Sequence, residues 1–123
     1  MSSVRNFKGF GDALINFLYS LAKSRVTSNW TGEKVSNYVL SEALIASDVK
    51  QPGGLDKHEK GDYVEGYIAE AWISGLITTE DAVRVLMDTL RACNLEEEEK
   101  TMMKAFRDLL NYIHSTSSES EAT

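Results

Sequence analysis

The sequence has one cysteine, Cys93, and one proline, Pro52. A lone thiol excludes an internal disulfide and fits a reducing compartment. No histidine stands near Cys93 in the chain, so it reads as an inert thiol rather than a nucleophile. With one proline and few β-branched runs, little interrupts helical periodicity, and the pattern predicts an all-α domain. No apolar run approaches the roughly 18 residues of a membrane span, and no signal-peptide or lipidation pattern occurs. The expectation is a cytoplasmic chain with no membrane partner. Basic excess is also missing. A net charge of −6 argues, on its face, against nucleic acid. Its distribution weakens that objection, because Glu96 to Glu99, Glu119 and Glu121 supply six of the acids. The remainder balances at 13 acids against 13 bases, with Lys50, Lys57, His58 and Lys60 gathered in one stretch. Ser36, Ser41 and Ser47 lack His and acid partners at triad spacing. Gly53-Gly54 is a turn, not a phosphate loop.

At 123 residues, 42% of them hydrophobic, the chain can bury one real core. Residues 1–114 read as a single domain of about five main helices, and 115–123 as a disordered polar tail. The first helix is expected over 11–25, with Phe10, Leu14, Phe17, Leu18 and Leu21 as its apolar stripe. Asp12, Asn16 and Tyr19 fall on a neighbouring, more polar face. A connector follows, with Trp30 expected as a packing anchor. The second helix is expected over 33–46, capped by Thr31. Residues 47–58 form a loop by their turn chemistry. The third helix is expected over 60–75, closed by Gly75. A fourth is capped by Thr78 or Thr79, with Glu80 and Asp81 in its first turn. A fifth is expected over 95–114, its acids suited to the helix dipole and its methionines to core filling. His114 then falls at a helix end.

The third helix carries the informative acids. Asp62 and Glu65 stand three residues apart, on one face of a largely apolar segment. Acids are seldom buried unless paired or coordinating a cation. One reading is a carboxylate pair favoured by the helix dipole. The other is a functional pair completed from elsewhere in the chain. His58 is either an exposed loop residue or a phosphate contact and proton shuttle. Tyr63, Tyr67 and Trp72 suit core packing, a dimer seam or an aromatic surface.

Phe10-Gly11-Asp12-Ala13-Leu14-Ile15-Asn16-Phe17 and Gly61-Asp62-Tyr63-Val64-Glu65-Gly66-Tyr67-Ile68-Ala69-Glu70-Ala71-Trp72-Ile73-Ser74-Gly75 together resemble the signature of the ribonuclease III family. That signature pairs a Gly-Asp-Ala helix with an Asp-x-x-Glu-Ala helix some fifty residues later. The resemblance covers roughly residues 4–92 and extends to the intervening helix. It implies an all-helical, ribonuclease III-like endonuclease domain that dimerises and binds double-stranded or structured RNA across the dimer valley. It further implies that Asp12, Asp62 and Glu65 are both catalytic residues and metal ligands. They would hold Mg²⁺, with Mn²⁺ as a possible substitute, and the metal would activate water against a backbone phosphodiester. Residues after 92 are too few for a double-stranded-RNA-binding domain. The expected arrangement is free-standing, similar to the Mini-III branch and small archaeal relatives.

The chain departs from the pattern in places. Lys8 and Arg5 stand where the family usually has glutamates, although the Mini-III branch lacks those acids too. Glu33 aligns with a further family acid only across a gapped connector. The second block reads Glu-Gly instead of Glu-Ala. These departures leave open a catalytically weakened or inactive relative that binds RNA or ribonucleoprotein as a dimer. A third alternative is an all-α interaction domain unrelated to RNA.

Overall fold

Capping chemistry decides where each helix begins. The computed structural model describes residues 7–122, apart from the side chains of Lys8 and of residues 120–122. Arg5 and the Lys8 side chain therefore lie outside the described residues. Among these residues the order is α1 (Lys8–Thr27), α2 (Asn37–Ala46), α3 (Lys57–Ile73), α4 (Thr79–Ala92), a 3₁₀ turn (Leu95–Glu97) and α5 (Glu98–Ala122), with no strand. The fold is all-α, as the periodicity predicts.

Ser36, not Thr31, caps α2. Its hydroxyl accepts the Val39 N–H at 3.2 Å, and the helix starts four residues later than expected. α3 starts earlier than expected because Asp56 and Glu59 form a reciprocal capping box. His58 is thus in the first turn of α3 rather than in the loop. Asp62 and Glu65 lie beyond that turn, so the end of the helix dipole does not account for them. Thr78 and Asp81 form the matching box on α4.

α5 does not stop near His114. It continues to Ala122, through the stretch expected as a disordered tail, so His114 lies within the helix. No Gly or Pro follows Leu109, and nothing in the sequence imposes a C-terminal stop.

The five helices surround one core. α1 packs on α3 and α4, α2 packs on α3 and α5, and α4 packs on α5. Ile15, Leu18 and Tyr19 from α1 meet Leu40 and Leu44 from α2 in this cluster. Ile68 from α3, Leu86 and Leu90 from α4, and Phe106, Leu109 and Leu110 from α5 complete it. Trp30 is no packing anchor: it is 85% exposed at the α1–α2 connector. Phe10 and Phe17, expected on the buried stripe, are about half exposed.

Candidate active site

Two glycines let the site's helices approach at backbone distance. A Cβ on Gly11 would lie 2.9 Å from both Glu65 Cβ and the Glu65 carbonyl oxygen. α1 and α3 therefore touch at this point, and Asp12 is the next residue along α1. A Cβ on Gly61 would lie 2.6 Å from Asn37 Cγ, so the start of α2 closes on α3 one residue before Asp62.

The three acids differ in exposure. Glu65 is buried at 4%, whereas the Asp62 and Asp12 side chains are 30% and 42% exposed. Asp62 Oδ1 accepts the Asn37 amide N–H at 3.1 Å. Its Oδ2 lies 3.5 Å from His58 Nε2. Asp12 Oδ2 lies 3.6 Å from Lys34 Nζ. Asp12 on α1 and Asp62 and Glu65 on α3 thus stand on two helices in contact, and carboxylate oxygens are the donor type that a hard divalent cation takes. Among the described residues, however, no three His, Cys, Asp or Glu side chains are grouped closely enough to hold a metal ion. The donor chemistry fits Mg²⁺; the grouping is not closed around one.

The connector before α2 explains how Lys34 reaches Asp12. It runs antiparallel to the polar stripe of α1. The Thr31 N–H donates to Ser24 Oγ at 2.9 Å, the Glu33 N–H to Ser20 Oγ at 2.7 Å and the Val35 N–H to Asn16 Oδ1 at 2.8 Å. Lys34 follows the same path back toward Asp12. Glu33 is engaged structurally, accepting from the Thr31 hydroxyl at 2.6 Å and from Lys23 Nζ at 3.0 Å. The Thr31 hydrogen bond lowers its pKa, burial opposes the shift, and Lys23 adds to it. Lys23 also donates to Glu98 at 2.7 Å, and the buried Tyr19 hydroxyl donates to the same carboxylate at 2.9 Å. Burial first, and then Glu98, push the Tyr19 pKa far up.

A ribonuclease III family model matches residues 5–118. The chain belongs to the ribonuclease III family. No curated protein matches it. The ribonuclease III assignment gives meaning to the meeting of the Gly-Asp-Ala turn of α1 with the Asp-x-x-Glu face of α3. Members of this family generally use a divalent metal and act on structured RNA.

The sequence pattern alone did not single out Asn37 or Lys34. Their contacts join elements 25 and 22 residues apart, and neither belongs to a motif. The aromatic residues of α3 serve packing: Tyr63 and Tyr67 stack with centroids 6.1 Å apart. The Trp72 indole N–H donates to Thr79 at 2.9 Å, and its ring lies 5.7 Å from Phe10.

Proposed function

We propose that this chain is a Mg²⁺-dependent endoribonuclease that hydrolyses phosphodiester bonds in double-stranded or structured RNA, working as a homodimer. The observation that carries the reading is the Gly11–Glu65 contact. It sets the Asp12 turn against the helix bearing Asp62 and Glu65, in a chain whose family assignment spans 5–118. Asp12, Asp62 and Glu65 are the proposed ligands, with Mn²⁺ as a substitute metal. A divalent cation held there would supply a low-pKa water and neutralise charge at the attacked phosphate. The chain's own residues have separate tasks. Glu65 keeps an acceptor away from bulk water, Asp62 accepts a hydrogen bond from Asn37, and the exposed Lys34 offers a cation at the rim for a phosphate.

The test is incubation of the full chain with duplex RNA and Mg²⁺, beside Asp62→Asn and Glu65→Gln. Both substitutions keep side-chain shape and remove charge. The expected result is cleavage by the wild type and background cutting by both variants. Full activity in both variants, or no cleavage of any duplex or structured RNA by the wild type, defeats the catalytic reading.

A second reading, an inactive relative that binds RNA or ribonucleoprotein as a dimer, is favoured by the Lys34–Asp12 pair. There a cation already sits against one of the proposed ligands. Calorimetric titration with Mg²⁺ separates the two readings, because a binding module need not show metal uptake dependent on Asp62.

A further inference from the structure

Asn37 is the first residue of α2, at the point where α2 crosses α3. A Cβ on Gly61 would lie 2.6 Å from Asn37 Cγ, 2.7 Å from its Cβ and 2.9 Å from its Cα. The crossing therefore requires glycine, and its closeness holds the Asn37 side chain against the second turn of α3. There Nδ2 donates to Asp62 Oδ1 at 3.1 Å and to the His58 carbonyl at 3.3 Å, and lies 3.1 Å from His58 Nδ1.

We infer that Asn37 is a positioning residue for Asp62: its amide fixes the orientation in which that carboxylate meets a divalent cation. The inference rests on the metal-dependent reading above. A helical aspartate has several staggered side-chain rotamers. A hydrogen bond from a second helix, itself fixed by a backbone crossing, selects among them. An amide suits this task because it orients the carboxylate without adding a positive charge that would compete with the metal. The other Asp62 oxygen, Oδ2, faces His58 Nε2 at 3.5 Å, whereas the neighbour of Asp12 is the Lys34 ammonium at 3.6 Å. Hydrogen-bonded partners behind metal ligands typically alter metal affinity by about 10–100-fold when removed.

The experiment is a calorimetric Mn²⁺ titration of the full chain, with thermal unfolding of each variant alongside. The wild type should bind Mn²⁺, and Asp62→Asn should abolish that binding. Asn37→Leu keeps nearly the same bulk against Gly61 but has no donor. It should weaken Mn²⁺ binding about tenfold while the unfolding midpoint stays close to wild type. Gly61→Ala, which forces Asn37 out of its place, should weaken binding comparably, and the double variant should be no weaker than either single one. Should Asn37→Leu fail to fold, Asn37→Ala carries the same comparison, since alanine also has no side-chain donor. Wild-type Mn²⁺ affinity in the folded Asn37 variant overturns the inference and leaves the metal site standing. Absence of Asp62-dependent Mn²⁺ binding in the wild type overturns the metal reading itself, and this inference with it.

Discussion

Single atoms decide two outcomes that conservative substitution would expose. The Ser41 hydroxyl lies in the core with no hydrogen-bond partner among the described residues, inside a helix where alanine is the better residue. Ser41→Ala should therefore raise stability by about 1 kcal/mol, by removing an unpaired buried polar group. Denaturant midpoints measure it, and a lower midpoint would mean that the hydroxyl is paired. Gly11 gives the opposite case. An added Cβ meets the carbonyl oxygen and Cβ of Glu65 at 2.9 Å, and a backbone carbonyl in a helix cannot swing aside as a flexible side-chain end can. Gly11→Ala should cost about 1–3 kcal/mol. It should also lower metal affinity, because the helices carrying Asp12 and Glu65 are wedged apart. Wild-type stability together with wild-type Mg²⁺ uptake would show that the α1–α3 approach is dispensable.

At the scale of elements, the connector between α1 and α2 behaves as a strap tied at both ends. Its backbone is bonded to Asn16, Ser20 and Ser24 of α1. Its Glu33 carboxylate joins Lys23, which also reaches Glu98 at the start of α5. The Glu33 pKa is lowered by the Thr31 hydroxyl and by Lys23. A group depressed in the folded state contributes stability above its unfolded pKa and loses it as pH falls through the folded value. The strap should therefore loosen in acid, below the ordinary carboxylate range. Glu33→Gln should lower stability at neutral pH and flatten the acid limb of the thermal midpoint against pH. An acid limb unchanged by the substitution would refute the assignment.

The existence and order of the helices were legible because amphipathic spacing is local. Asp12, Asp62 and Glu65 were legible as candidates because they sit in two short blocks. The Asp56–Glu59 box was also written in the sequence, as an acid followed three residues later by glutamate, and it moves the start of α3 ahead of His58. Asn37, Lys34 and the exposure of Trp30 were not legible. Each depends on which way two distant elements cross, and that is decided by glycine contacts and strap hydrogen bonds rather than by periodicity.

For the molecule as a whole, the exposed apolar surface on α1 and α3 asks for a cover. Phe10 and Phe17 stand seven residues apart, two turns along one face of α1, and are 46% and 52% exposed. Phe10 contacts Trp72, and the adjacent Ile73 is 47% exposed. Large apolar groups collected on one side of a small domain mark an association surface more often than isolated exposed leucines do. A stable interface of standard size buries about 1,600 Å² in total, with aromatic anchors near its centre. We expect the full chain to sediment as a dimer at micromolar concentration through this face. Phe17→Glu should convert it to a monomer of unchanged helicity, because dimerisation would then bury two unpaired carboxylates. A wild-type monomer, or a dimer indifferent to Phe17→Glu, removes this face as the interface. The consequence for catalysis is direct. Asp12 lies between Phe10 and Phe17 in sequence, so a partner seated there would border the α1 turn that carries one of the proposed ligands. RNA cleavage should then fall with dilution through the dimer dissociation range.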